Sequence, residues 1–388
     1  MSLPTITVRI GLASDPLDNP QTWTDVSVDT TAIHIQRGRQ HALDRIEAGI
    51  ATVILKNFSN QYYPASSANI KPGKCINIRA TYDATTYDLF TGFIESWQPS
   101  WLSGAGLCPI MTLQCADLIK NLARFEITSA GYSQQLSGTR IGNVLTSFGY
   151  VATTDLDAGQ SNIIATGALA SKNAMQHIFE VTEAERGIFF IAGNGYPTFH
   201  DRHARMKSPF NSSSATFGDD LGENKYQILE PSYDDEFIYN DISLTRSGGT
   251  AQTATDATSK GDYGTRNLSK TGLLLTVDTE ALSQAQFLLS QYKNPAFRIR
   301  AITLYPQADE VNLYPKVLNY DLSTRITLRL NQASLDTDYH IEGISHDCDA
   351  REGTWTTRWQ LSDADNQQYW AIGVTGLSEI GLTTRVCY

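Results

Sequence analysis

The sequence predicts a mainly β chain in which two related β-barrels flank a small α+β insert. Three observations lead there. Short β-branched or alternating runs fill the first and last thirds, punctuated by turn residues. Helical periodicity is confined to a middle stretch and one later segment. A strand–glycine–strand unit closing on an aspartate occurs once in each β-rich third. The expected boundaries are 1–117 for the first barrel, 118–205 for the insert and 206–230 for a linker. The second barrel then covers 231–372, and 373–388 forms a C-terminal tail.

In the first third the strand candidates are "TITVRIGL", "AIHIQRGR", "GIATVILKN", "CINIRATY", "YDLFTGFIESW" and "PIMTLQCAD". Asp15-Pro16, residues 57–60, Pro72-Gly73 and Ser103-Gly104 separate them as turns. In "RIEAGIATVILKNFSNQYYP" the alternation puts Ile46, Ala48, Ile50 and Ile54 on one face. Small Gly49 and Ala51 lie on the other, where they permit close approach of a neighbouring layer. Val53 and Leu55 make both faces apolar near the turn, so this strand is expected to be covered on both sides, with Asn57 turning the chain back.

After Asp117 the pattern changes. "TRIGNVLTSFGY" places Ile141, Val144, Leu145 and Phe148 on one helical face, with Gly149 as a stop. "SKNAMQHIFEVTEAERG" reads as a second helix ending at Gly187, and Asn194-Gly195 as the turn of a hairpin in "GIFFIAGNGYPTFHD". Residues 206–225 are rich in Ser, Gly and Asp and lack periodicity, as a connection would. Strands return in "EFIYNDISLTRSG", "KTGLLLTVD", "FRIRAITLYP", "NYDLSTRITLRL", "YHIEGISHD" and "TWTTRWQLSD". One helix interrupts them: Asp278 is the expected N-cap, Ala281, Ala285, Leu288, Leu289 and Tyr292 the apolar face, and Pro295 follows its end. The polar stretch 245–267 is expected to be a long loop, either mobile or ordered against a neighbour.

The repeat pairs "LFTGFIE … TLQCAD" with "HIEGISH … RWQLSD", matching Gly92 to Gly343, Gln114 to Gln360 and Asp117 to Asp363.

A net charge of −11 argues against a protein that grips DNA by its phosphates, and charged residues are only 18% of the chain. Cys75, Cys108, Cys115, Cys348 and Cys387 form no C-x-x-C pair and read as free thiols of a reducing compartment. The opening "MSLPTITVRIGL" lacks a basic segment ahead of an apolar one, so no signal peptide is expected, and no apolar run is long enough for a membrane span.

The search for catalytic chemistry yields little. There is no G-x-S-x-G, H-E-x-x-H, P-loop or G-x-G-x-x-G after a strand. In "FHDRHAR" strand alternation sends His200 and Arg202 to one face and Asp201 and His203 to the other, so three metal ligands do not converge. Asp234, Asp235 and Glu236 are adjacent, whereas paired glycosidase carboxylates must face each other across a sugar. His346, Asp347 and Asp349 form a small acid/base cluster at a strand end. Trp97, Trp101, Trp355, Trp359 and Trp370 sit near the closing hairpins, as core, girdle or interface residues do. No catalytic residue, cofactor or metal ligand is therefore expected.

Taken together, "VSVDTTAIHIQRGRQHALDRIEAGIATVILKNFSNQYYP", "PGKCINIRA" and "YDLFTGFIESWQPSW" resemble the N-terminal region of siphophage minor tail proteins that form the baseplate hub. "NDISLTRSGG", "KGDYGTRNL", "TEALSQAQFLLSQYKNP", "RIRAITLYP" and "YHIEGISHD…WTTRWQLSDAD" follow in the order seen in such gp27-like tail-tip proteins. The resemblance implies a non-enzymatic homotrimer at the virion tail tip, made and assembled in the host cytoplasm. Two tube-type β-barrels per chain would adapt a sixfold tail tube to a threefold tip and enclose the DNA channel. It also implies a distal tail protein ring, a tape measure protein and a central fibre or spike as partners, without specific nucleic-acid binding. A tip-associated cell-wall hydrolase and a carbohydrate receptor-binding module are the rival readings. Larger hub proteins of this kind carry a further extension; this sequence stops soon after the second barrel, and its last segment with Cys387 is expected to dock the next tip protein or to fray.

The barrel framework is expected at Gly49, Asn57, Gly73, Gly92, Asp117, Gly343 and Asp363, where Gly and Asn supply turn or bulge geometry. Interfaces are expected along barrel edge strands and in the polar stretch that holds Gly248, Gly249 and Tyr263.

Overall fold

The structure, a computed structural model, describes residues 3–101, 109–169 and 172–364 together with the short paired strands Tyr369–Trp370 and Arg385–Val386. Cys108, Cys387 and nearly all of the expected tail 373–388 lie outside the described residues, while Cys75, Cys115 and Cys348 are buried free thiols. Among the described residues no helix is long and apolar enough to cross a membrane.

The first third forms β1 (Thr5–Ile10), β2 (Thr30–Gly38), β3 (Glu47–Lys56), β4 (Cys75–Tyr82), β5 (Thr85–Ser100) and β6 (Ile110–Ala116). Each strand turns one set of alternating side chains inward: Thr31, Ile33, Ile35 and Arg37 on β2, and Gly49, Ala51, Val53 and Leu55 on β3. The face of β3 that carries Ile50 is not covered as expected: Ile50 is 46% exposed. Gly49 and Ala51, not Ile50 and Ile54, face the core beside Val53 and Leu55, while Ile46 ahead of the strand is buried; Asp117 and Arg37 fill the space a larger side chain would need at Gly49.

The middle stretch forms α1 (Leu118–Arg124), α2 (Ser137–Phe148), α3 (Ala174–Glu185), β7 (Ile188–Ile191) and β8 (Pro197–His200). Helix α2 buries Ile141, Val144 and Leu145 and ends at Gly149 in the left-handed conformation, φ 88°. The left-handed residue after α3 is Arg186 (φ 59°), not Gly187. Gly187 is needed for close packing instead, since a Cβ there would lie 2.6 Å from the His200 carbonyl oxygen. Strands β7 and β8 form the expected hairpin, with Gly195 at φ 90°.

The remainder forms β9 (Ile228–Ser232), β10 (Asp241–Arg246), β11 (Gln252–Thr255), α4 (Ala257–Tyr263), β12 (Asn267–Leu273) and α5 (Asp278–Tyr292). It continues with β13 (Arg298–Leu304), α6 (Glu310–Asn319), β14 (Arg325–Leu330), β15 (Leu335–Asp349) and β16 (Thr354–Asp363). The polar stretch 245–267 is thus no loop: β11, α4 and β12 order it within its own chain. Fully buried Asn240 does much of this. Its amide nitrogen donates to Ser259 Oγ (3.0 Å) and to the Gly264 carbonyl (2.8 Å), and its oxygen accepts from the Arg266 N–H (2.8 Å). The small sheet β11–β10–β12 packs under α5, whose Ala281, Ala285 and Leu288 are buried. Asp278 is the first residue of α5 rather than its cap; its carboxylate pairs with Arg246 at 2.6 Å.

Both β-rich thirds belong to one sheet of thirteen strands, ordered β9–β13–β16–β15–β2–β3–β6–β5–β4–β1 and ending on the two-residue strand Thr24–Asp25. Strand β14 pairs with the start of β15, and Thr216–Phe217, within the expected linker, pairs in parallel with β14 and buries Phe217. Among the described residues no pairing closes this sheet into a barrel. Strand β15 is long enough to take β14, β16 and β2 as partners, so it joins the thirds directly.

The repeat survives as architecture, not residue by residue. Pairs β5–β6 and β15–β16 are both long antiparallel hairpins with an irregularity near the glycine. Gln360 opposes Gly343, but Gln114 opposes Ser96 rather than Gly92, so the two registers differ.

Candidate assembly face

Two residues read from the sequence as framework meet each other. The Gly49 N–H donates to Asp117 Oδ2 (2.7 Å), and the Asp117 N–H donates to the Gly49 carbonyl (2.8 Å). Asp117 Oδ1 accepts the Ile119 N–H (2.9 Å), which caps α1. The carboxyl is buried, and desolvation pushes its pKa up to about 7 against those donors. Gly92 is held small by Ala116, whose carbonyl oxygen would be 2.5 Å from a Cβ. Gly73 needs its positive φ of 88° for a turn in open space. Asn57 is fully buried and its side-chain oxygen accepts the Tyr62 N–H (3.1 Å), which closes the turn after β3. Asp363 ends β16 opposite Tyr339.

Gly343 lies at the seam between the thirds. It stands opposite Gly38 in the β2–β15 pair, and a Cβ on it would come 2.6 Å from the Arg39 carbonyl oxygen. Gly38 has φ 95°, and its Cβ would fall 2.3 Å from the Glu342 carbonyl oxygen and 2.7 Å from Gly343 Cα. Beside this contact Glu342 is buried and accepts from Arg39 Nε (2.7 Å) and Arg205 Nη1 (2.6 Å), with Ser362 Oγ as a further donor. Burial opposes its charge, but the two guanidiniums hold the carboxyl well below the usual range. Arg37 Nη1 donates to Asp321 Oδ1 (2.9 Å), and the Gly193 N–H reaches Asp321 Oδ2 (3.3 Å), which ties the β7–β8 hairpin to the same seam. The sequence reading missed Gly38, Glu342 and the arginines. A glutamate inside the apolar run "HIEGIS" was the available signal, since an unpaired carboxylate there would be costly.

Across the seam the outward faces of β2, β3, β6, β15 and β16 are continuous. Ala32, His34 and Gln36 adjoin Ile50, Thr52 and Ile54 on one side and Ser345 and Asp347 on the other. Thr52 Oγ1 donates to Gln114 Oε1 (3.0 Å), and His34 Nδ1 lies 2.5 Å from Asp347 Oδ1, which raises the His34 pKa. Asp349 opposite Ala32 and Arg358 opposite Ser345 extend the same face, which mixes polar, charged and apolar side chains and is uncovered in the single chain.

Gly248 (φ 69°) and Gly249 turn β10 into β11, and a Cβ on Gly249 would strike Asp278 Oδ1 at 2.3 Å. Tyr263 ends α4 and is 38% exposed. The sheet's outer edges are the two-residue strand Thr24–Asp25 and β9, which carries Pro231 and an exposed Ile228.

The clusters weighed for chemistry are held by ring contacts, hydrogen bonds and ion pairs within the chain. His200 packs against Phe190 and Phe210 and contacts Ser323 Oγ (3.2 Å), while Asp201 accepts from Gln160 Nε2 (2.6 Å). Asp234 pairs with Arg300 (2.6 Å) and Asp235 with Arg266 (2.5 Å). His346 points inward and Asp347 outward. Trp355 and Trp359 are core residues. Exposed Trp101 meets Tyr63 edge-on, at 74° between planes, which is no flat sugar platform. The Trp370 side chain lies outside the described residues. Among the described residues no three His, Cys, Asp or Glu side chains are placed to hold a metal ion.

No protein-family model and no curated protein sequence matches the chain. Solved structures do. A tail protein from Neisseria meningitidis MC58 superposes with a TM-score of 0.63 at 12% identity, over 93% of this chain and 97% of its own. The 43 kDa tail protein of prophage MuSo2 from Shewanella oneidensis gives 0.61 at 14% identity, over 93% and 99%. Prophage tail protein gp18 from Listeria monocytogenes EGD-e gives 0.51 at 10%, over 92% and 94%. The chain therefore has the fold of phage tail proteins, over nearly its whole length.

Proposed function

We propose that this chain is a structural, non-enzymatic component of a phage tail, acting as the hub of the tail tip. Three copies stand around the tail axis, and the two β-rich thirds of each supply the six similar units that a sixfold tube requires. The open polar face of β2, β3, β6, β15 and β16 lines the DNA channel. One observation carries the reading: a single seamed sheet spans both thirds and leaves that face uncovered by the rest of the chain. The net charge of −11 supports a lumen to which phosphates do not adhere. In this reading 1–117 and 231–372 are the ring-forming halves and 118–205 braces them from the side through Asp321 and Arg205. The partners are a distal tail ring above, a tape measure protein within and a fibre or spike below. Gly248, Gly249 and Tyr263 belong to the contact with one of these neighbours.

Electron cryomicroscopy of assembled tails tests this. The expected map places three copies on the axis with the Ile50 and Gln114 face toward the lumen. Density off the axis, or a copy number that is not a multiple of three, overturns it.

A further inference from the structure

A cleft of about 180 Å³ opens where the segment after β2, the end of α3, β12, α5 and the start of β13 meet. Seven Lys or Arg side chains line it against four Asp or Glu, in a chain that is acidic overall. Two carboxylates are shared among its cations: Glu183 serves both Lys270 (2.6 Å) and Arg45 (3.6 Å), and Glu342 behind the wall serves both Arg39 and Arg205, while Arg202 pairs with Glu280 (2.8 Å). Arg186 and Arg298 make no ion pair among the described residues. His41, in the same wall, is kept neutral by burial, helped by the cations of Arg298 and Arg39. Phe179, Phe189 and Leu43 add apolar lining.

Elsewhere the chain carries a projection of complementary character. The turn "GDDLGE" holds Leu221 out at 103% relative exposure, with exposed Asp219 and Asp220 before it and Gly222 at φ 88° after it. The turn is firm. The Gly218 N–H donates to the Asn224 carbonyl (2.9 Å), the Asp220 N–H to Glu223 Oε2 (3.1 Å), and Glu223 pairs with Arg329 (2.9 Å). The Asp219 and Asp220 carboxylates accept from the backbone and side-chain amides of Asn331, and Lys225 is engaged by the carbonyls of Gly218 and Asp220. A rigid acidic tip with an apolar end loses little freedom on docking. It cannot reach its own cleft: it sits at the Leu330–Leu335 end of β15, about 17 Å along that strand from the cleft wall at Ser362.

We infer that the turn 218–225 of one copy docks in the cationic cleft of the next, with Leu221 against Phe179 and Leu43 and with Asp219 and Asp220 facing Arg186 and Arg298. Such a contact joins two different surfaces, so it propagates head to tail and closes into a ring. The inference rests on the ring reading above and adds the contact that builds it.

Sedimentation velocity on the full chain tests both parts. Asp219→Arg with Asp220→Arg, or Arg186→Glu with Arg298→Glu, should each weaken self-association by tenfold or more, and Leu221→Ala by about tenfold. The chain with all four charges reversed should associate again, which a misfolded chain would not do. Association of the wild-type chain that neither reversal weakens overturns the contact and leaves the ring standing. Loss only with the cleft reversal overturns the turn as its occupant. A wild-type chain that stays monomeric at every concentration reached overturns both.

Discussion

Replacing Gly38 with alanine tests the seam most directly. Two penalties act there. Alanine at φ 95° carries a left-handed backbone cost of about 1–2 kcal/mol. Its Cβ would also lie 2.3 Å from the Glu342 carbonyl oxygen and 2.7 Å from Gly343 Cα, both backbone atoms of β15. Relief requires the strands to part by about 1 Å, which loses one or two ladder hydrogen bonds at roughly 0.5–1.5 kcal/mol each. The Gly38→Ala cost is then about 2–5 kcal/mol. Gly73→Ala is the control for strain alone, because its φ is 88° and nothing lies within 4 Å of the added carbon. It should cost about 1–2 kcal/mol. Gly343→Ala isolates the overlap, since its Cβ would meet the Arg39 carbonyl oxygen at 2.6 Å and Gly343 does not have a positive φ. Equilibrium unfolding in urea, followed by the fluorescence of buried Trp355 and Trp359, measures all three. If Gly38→Ala costs no more than Gly73→Ala, the close seam is wrong.

Asp117→Ala should lose about 2–4 kcal/mol, from a lost cap and an unpaired Gly49 N–H; Asp117→Asn, with one acceptor oxygen for two donors, should recover only part in the same unfolding assay. Glu342→Ala leaves Arg39 and Arg205 buried without their carboxylate and should cost about 3–5 kcal/mol, with a lower midpoint of thermal unfolding. Burial lowers the pKa of His41 to about 4 and of His340 and His346 to about 3, so between these values and 6.5 the unfolded chain binds more protons. Stability present above pH 6.5 should therefore fall as the pH drops toward 4, and His346→Gln should flatten that limb in a pH series of urea unfolding curves. Asp117, raised to about 7, gives the opposite slope between about 4 and 7, so removing it should steepen the same limb. Ile50→Lys should change stability by no more than about 0.5 kcal/mol, since its face is open in the single chain; a larger loss would mean that the face is covered.

Local features of the fold were legible. The α2 face and the Asn194-Gly195 turn follow from periodicity and turn chemistry, whereas the sequence names Gly49 and Asp117 as framework positions without the hydrogen bonds that join them. Three features escaped for separate reasons. The expected loop 245–267 is ordered by Asn240, whose three hydrogen bonds span residues 259–266, and polarity alone does not reveal such an anchor. Helix α6 carries Pro315 in its interior, which masks its pattern, although Leu313, Tyr314, Val317 and Leu318 bury one face. The seam pairs 32–38 with 343–349, and strand alternation states which face is apolar but not which distant strand lies alongside. The candidate assembly site shows the same division. Gly343 could be named singly, whereas Gly38 was missed and the Glu342 clamp required knowing that residues 39, 205, 342 and 362 converge.

The seam also sets a timetable for the growing polypeptide. Strand β2 emerges from the ribosome early, yet its second partner begins only at residue 335. For most of translation one side of β2 exposes unpaired N–H and C=O groups beside Ile33 and Ile35, a template for pairing with another nascent chain. The register of the first third is completed only when residues 343–349 are made, so synthesis interrupted before them leaves a sticky half-sheet rather than a smaller finished domain.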